Sequence, residues 1–224
     1  MRSVTKTKRK RKKKIQTRNR KLVEKYPWLI PRNDWTGKII DGYDYTWTEL
    51  DGWPKGWVKA FGRAFADELG AAIDEAGLTN SYRVFQVKEK YGSGRWYDNG
   101  GTQKMHNIIR AFEYISERVC YSCGKLDVPM INDGWYCPTC LECFKKNYRR
   151  REKWNIERNP DYQLASDEYI RQLYDKYIED EPDENGKYLI PMSYKVKTGY
   201  KETEKTIEYD ISDIVNKIRK GSKS

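Results

Sequence analysis

The sequence predicts an α+β protein: a helix–β-hairpin–helix body with a small zinc ribbon, a disordered basic arm before it and a small C-terminal α+β extension. Three observations predict this. Apolar residues recur at helical spacing over residues 55–76 and again over 103–119. A β-rich run with a glycine turn lies between those stretches. All five cysteines fall between Cys120 and Cys143. The expected boundaries are an arm over 1–21, a body over 22–119, a zinc module over 120–154 and an extension over 155–224.

The arm is defined by charge. The 224 residues carry 44 Lys and Arg against 33 Asp and Glu, for a formal net charge of +11. Residues 1–21 hold twelve of the bases and no acid, leaving 32 bases against 33 acids in the remainder. The basicity therefore belongs to the arm and not to the body. Its densest run is Lys8, Arg9, Lys10, Arg11, Lys12, Lys13 and Lys14. Like-charge repulsion and few apolar residues predict disorder, and counterion release predicts affinity for a polyanion. No apolar run approaches membrane-spanning length, and the N-terminus lacks the apolar region of a secretory signal. With an odd number of cysteines clustered in CxxC pairs, this predicts a chain of a reducing, cytoplasmic compartment with no membrane partner.

Residues 26–53 alternate prolines and turn dipeptides with aromatics. They predict irregular structure with one or two short strands, in which Trp28, Trp35, Trp47 and Trp53 serve as core and lid. Pro54 opens a helix whose stripe is Trp57, Phe61, Phe65, Leu69 and Ile73, and Gly77 stops it. Residues 82–91 form a strand, Gly92–Gly94 turn it, and Arg95, Trp96 and Tyr97 begin its return. On that hairpin Lys88, Lys90 and Arg95 can share a face, with Trp96 or Tyr97 available for base stacking. A second helix over 103–119 uses Met105, Ile108, Ile109, Phe112, Ile115 and Val119 and runs straight into Cys120. His106, the single histidine, falls on its polar face.

Past Cys143 a basic stretch interleaved with aromatics contributes Lys145, Lys146, Arg149, Arg150 and Arg151 until Asn159-Pro160 breaks it. Ser166 caps a helix to about 178. An acidic loop at 179–184 and an Asn185-Gly186 turn follow, then strands over 188–192 and 194–209 and a helix over 212–220.

The cysteines read C-x2-C, thirteen residues, then C-x2-C-x2-C. Two such knuckles aim four thiolates at one point, the tetrahedral shell of a structural zinc. Cys120 and Cys123 form the first knuckle. The second is either Cys137 with Cys140 or Cys140 with Cys143. Four thiolates would close the shell, whereas a catalytic zinc keeps an open position. A zinc deaminase needs an H-x-E element, and His106 has Ile108 at the glutamate position. No GxxxxGK[ST] phosphate loop and no GxSxG elbow occurs.

Three stretches carry a resemblance: KEKYGSGRWY (88–97), SERVCYSCGK (116–125) and GWYCPTCLEC (134–143). They resemble a family of bacterial and phage proteins with a K-E-K-[FY]-G-x-L-R-[FW]-Y motif, a helix ending S-x-R-T-C-x-x-C-G-[KA], and G-W-x-x-x-C-D-E-[HC]. Its phage members are also similar in two earlier stretches, YPWLIPRNDWTGK (26–38) and YTWTELDGWPKGW (45–57). The resemblance spans roughly 26–143 and leaves out the arm and the C-terminal third. It implies Cys120, Cys123, Cys140 and Cys143 as the Zn2+ ligands and leaves Cys137 as the spare. Gly94 stands where that pattern has leucine. The resemblance implies ligands and no activity.

The first functional expectation is thus a non-catalytic, phage-type accessory protein. It would bind nucleic acid or a nucleoprotein through the arm, the zinc module, and the Lys88, Arg95 and Trp96 surface. A second is an inhibitor of a host defence or transcription complex acting by protein–protein contact. A third, metal-dependent nuclease chemistry, has only the E-x-K-like strand Gln86–Lys90 to favour it.

Overall fold

The computed structural model describes residues 2–33, 35–159, 161–180, 188–198 and 201–221. Its first element corrects the expectation of a disordered arm: residues Arg2–Lys25 form helix α1. Lys and Arg are good helix formers, and the C-terminal half of α1 is anchored. Asn19, Val23 and, just beyond the helix, Tyr26 recur at helical spacing and are buried, with Val23 and Tyr26 in the body core. Asn19 Nδ2 donates to the Tyr45 carbonyl at 3.0 Å, and Gln16 Nε2 to that of Asp44 at 2.9 Å. Burying one large apolar side chain contributes about 1.5–3 kcal/mol. A like-charge pair on a helix costs about 0.2–0.5 kcal/mol, so the i,i+3 and i,i+4 pairs within Lys8–Lys14 together cost roughly 1.4–3.5 kcal/mol, which burial of Val23 and Tyr26 with the Asn19 and Gln16 hydrogen bonds offsets. The boundary expected at residue 21 falls inside this helix.

The segment from Tyr26 to Trp53 is irregular, as expected, with short 3-10 turns at Pro27–Leu29 and Glu49–Gly52 and one bridge between Arg32 and Ile39. Trp28 and Trp53 are buried, but Trp35 is 95% exposed and Trp47 is also exposed, so neither is a core residue.

The first body helix runs as α2 (Lys55–Trp57), a π-helical stretch (Val58–Gly62) and α3 (Arg63–Glu75). All five residues of its predicted stripe are buried. Strands β1 (Val84–Lys90) and β2 (Ser93–Asp98) pair antiparallel, with Lys90 opposite Ser93. The connection is thus the two residues Tyr91 and Gly92, both in the left-handed region at φ 54° and 76°, and not Gly92–Gly94. Gly94 lies inside β2. Helix α4 (Gln103–Ser116), capped by Thr102, completes the body. Trp53, Phe65, Trp96 and Phe112 form a chain of aromatic contacts at its centre, with ring centroids 4.7–5.4 Å apart.

Beyond Cys120, β3 (Met130–Asn132) pairs with β4 (Tyr136–Pro138) on one edge and with β5 (Ile178–Asp180) on the other. Helices α5 (Leu141–Arg158) and α6 (Asp167–Lys176) pack on this small sheet. Ile131, Phe144, Ile170 and Tyr174 are its core. The metal module therefore continues past residue 154 to residue 180. Glu179 and Asp180, the start of the expected acidic loop, belong to β5; the rest of that loop and the Asn185-Gly186 turn lie outside the described residues.

The C-terminal hairpin is β6 (Leu189–Thr198) with β7 (Lys201–Asp210), so β6 runs unbroken through Ser193, where the expected strands divide. Helix α7 (Ser212–Gly221) then returns to the body, where Tyr188, Ile211, Val215 and Ile218 join the first core. The expected extension is thus divided between the two cores. No helix among the described residues is long and apolar enough to cross a membrane.

Candidate metal centre

The end of α4 delivers Cys120 without a linker, and the body grips the first knuckle. Trp57 Nε1 donates to the Val119 carbonyl at 2.8 Å, and the Gly56 N–H donates to the Tyr121 carbonyl at 3.1 Å. A Cβ on Gly56 would collide with the Cys120 and Tyr121 carbonyl oxygens. Only glycine permits this approach of helix to knuckle. Within the knuckle Cys120 N–H donates to the Lys125 carbonyl at 2.8 Å, and Gly124 N–H to the Cys120 carbonyl at 2.9 Å. Lys59 Nζ reaches the Cys123 carbonyl from the body at 3.3 Å.

The second knuckle starts α5. Cys140 is its N-cap, and Phe144 N–H donates to the Cys140 carbonyl at 3.0 Å. Thiolates at a helix N-terminus are favoured by its unpaired N–H groups and dipole. Tyr174, from α6, donates its hydroxyl to the Thr139 carbonyl at 2.8 Å and steadies the loop from behind.

The sulfurs of Cys120, Cys123, Cys140 and Cys143 all lie within 4.8 Å of one another. Tetrahedral bonds of about 2.3 Å to a metal set sulfurs about 3.8 Å apart. Cys123 Sγ and Cys140 Sγ are 3.7 Å apart, a fit to that edge and far beyond a disulfide bond. Cys120 and Cys140 are buried, with Val128 packed against them. Burial, then the neighbouring Cys120 charge, pushes the Cys140 thiol up to about 11, and burial also raises Cys143. Burial opposes ionisation of Cys120 as well, yet hydrogen bonds from the Cys140, Cys123 and Ser122 backbone hold its thiol below the usual range. Four sulfurs crowded in this way can all ionise only around a cation, so the donor set suits one metal ion. Cys137 is outside the group. Its sulfur accepts from the Thr139 hydroxyl at 3.4 Å, and burial pushes its thiol up to about 11.

The cations singled out in the sequence divide in space. Lys8, Arg9, Lys10, Arg11, Lys12, Lys13 and Lys14 are exposed on α1, with Lys12 paired to Asp44 at 3.0 Å. On the hairpin, Lys88 lies directly across from Arg95. Lys88 bonds Gln86 and sits over the Tyr97 ring, while Arg95 turns back to Ser93 and the Gly94 carbonyl. Trp96 is 6% exposed, and its Nε1 donates to the Tyr82 hydroxyl at 3.0 Å. It is a core residue and not a base-stacking one. Glu89 accepts from the Gly92 N–H at 2.6 Å and closes the turn.

On α5, Lys145 and Arg149 face Asp167, and Arg149 also pairs with the buried Glu152 at 2.7 Å. Arg151 pairs with Asp133 at 3.2 Å. These three are engaged within the chain. Lys146 and Arg150 make no ion pair among the described residues and line the cavity beside the first knuckle. Sequence reading missed Tyr121 and Trp135, which are exposed next to them. Their flanking CxxC and Gly134 were read for metal chemistry alone. No protein-family model matches the chain, and no curated protein or solved structure shows significant similarity to it.

Proposed function

We propose that this chain is a non-catalytic accessory protein that binds nucleic acid or a nucleoprotein through α1, and that Zn2+ on Cys120, Cys123, Cys140 and Cys143 is structural. The observation that carries the reading is the run of seven consecutive cations exposed on α1, whose other end is anchored in the body core. A helix held this way offers its charges to phosphates with less ordering cost than a free tail. Four thiolates in a closed tetrahedral set are the donor pattern of a structural zinc. On the motif resemblance, the setting we propose is that of a phage protein in the cytoplasm of a bacterial host.

The test is the salt dependence of binding to a labelled duplex. Replacing Lys8–Lys14 with glutamine in the full chain keeps the anchor from Gln16 to Tyr26, which deleting residues 1–21 would not. The expected result is a shallower slope of log K against log[salt], by roughly 0.9 for each B-DNA phosphate that the variant no longer neutralises. An unchanged affinity and slope contradict the proposal. A second reading, contact with a host protein complex, is favoured by Trp35, Ile39, Ile40 and Trp47, all exposed on one segment. Nuclease-resistant capture of such a complex would favour it.

A further inference from the structure

Two cavities adjoin at the junction of body and metal module. One, of about 540 Å3, includes Trp135 and Arg150; the other, of about 700 Å3, includes Lys55, Lys146 and Arg150. They share Tyr121, Ser122, Asn147 and Arg150, so they form one continuous groove. Each has the volume of a typical small-ligand site, about 300–1,000 Å3. The groove runs between the first knuckle and α5, parts that the four cysteines hold together.

We propose that this groove binds a short single-stranded segment of nucleic acid, with bases stacked on Trp135 and Tyr121 and phosphates held by Lys146 and Arg150. The inference rests on the nucleic-acid reading above and adds a second contact, distinct from α1.

The chemistry of the walls supports that occupant. Trp135 is 61% exposed, which leaves most of its ring open to a ligand. Tyr121 is exposed on one side, and its ring is held edge-on against the buried Trp57, with centroids 5.9 Å apart. Exposed aromatic faces beside cations are the elements of single-strand recognition, in which stacking tolerates any base. Lys146 and Arg150 are four residues apart on α5, which puts both on one wall about 5–6 Å apart at their Cβ atoms. Asn147 adds an amide to the lining of both cavities. Of the groove's acids, Asp133 is paired with Arg151, whereas Asp51 and Glu89 accept the Thr48 N–H at 2.7 Å and the Gly92 N–H and keep their charge, so phosphate contact falls to the α5 wall. Stacking on Trp135 and Tyr121 needs bases that are not already stacked and paired in a duplex, so the occupant is a single strand.

The experiment measures anisotropy of a fluorescein-labelled 12-nucleotide single strand, and separately of a duplex, with the full zinc-loaded chain. Three variants are compared with wild type: Trp135→Ala, Lys146→Ala with Arg150→Ala, and glutamine at 8–14. Circular dichroism and metal content check that each is folded and loaded. Trp135→Ala is expected to weaken single-strand binding about tenfold, the scale of one base–aromatic stack, with duplex affinity nearly unchanged. The Lys146 and Arg150 pair is expected to weaken single-strand binding and flatten its salt slope. The α1 variant is expected to lose more on duplex than on single strand. If wild type binds the single strand and the groove variants bind it equally well, the groove proposal fails while the proposed function stands. If wild type binds no nucleic acid, both fail. If the Lys146 and Arg150 variant loses zinc while its zinc-loaded fraction binds normally, those cations serve the charge of the metal centre, and the groove proposal is overturned.

Discussion

Gly94 occupies a place in the hairpin where a side chain has nowhere to go. A Cβ there would sit 3.0 Å from the Trp53 indole nitrogen and 3.3 Å from the Ser116 hydroxyl oxygen. The Gly94 N–H also donates to that hydroxyl at 2.7 Å. Gly94→Leu should therefore destabilise the fold by about 1–3 kcal/mol or more, read as a fall in melting temperature; an unchanged temperature would contradict the packing described. The same hairpin shows what a sequence can and cannot say at this scale. Neighbouring strand residues point to opposite faces, so Arg95 and Trp96 could not both serve one surface. That Lys88 and Arg95 share a face was expected, but their direct pairing was not legible, because it depends on the turn falling at Tyr91 and Gly92. The side on which Trp96 fell was not legible either, because it depends on Phe65 and Trp53 arriving from other elements. The resemblance separated Cys137 from the other four cysteines, and the sulfur positions agree with it; spacing alone left two pairings open.

At the scale of elements, the helices of the body were readable because their stripes are long and regular. Helix α1 was not, since its charge hides an anchor made of single residues, Gln16, Asn19 and Val23. Asp44 is the partner that holds the basic half down: Thr46 and Lys12 hold its carboxyl at about 2 against an ordinary 3.8. The sign follows from that depression. The folded state favours the ionised form, so the stabilisation is complete above the ordinary aspartate range and is lost as pH falls toward 2. Amide hydrogen exchange over residues 8–16 should speed up across that window, relative to α3. Asp44→Asn should show the faster exchange already at pH 7 and little further change on acidification. Equal protection in wild type and variant would mean that α1 is not held through Asp44. In the metal module α6 was legible from its Ser166 cap, α5 was legible only as a basic stretch and not as a helix, and β5 is only three residues and pairs far along the chain with β3. No local pattern encodes such a pairing.

Over the whole molecule two cores meet at the first knuckle. One is built from α1, the body and α7, and the other from β3, α5 and α6. The return of Ile211, Val215 and Ile218 to the body was invisible in sequence, where their segment reads as a detached end. The joint is made by Gly56, Trp57 and the Cys120 backbone on one side and by the four sulfurs on the other. The proposed zinc is then what fixes α5, and with it Lys146 and Arg150, against the body. Native mass spectrometry of the full chain reads the metal content on which this joint depends. Wild type and Cys137→Ser should each carry one zinc ion per chain, whereas Cys143→Ser should carry none and lose the ordered module. Zinc retained by Cys143→Ser, or lost from Cys137→Ser, would contradict the four-sulfur site.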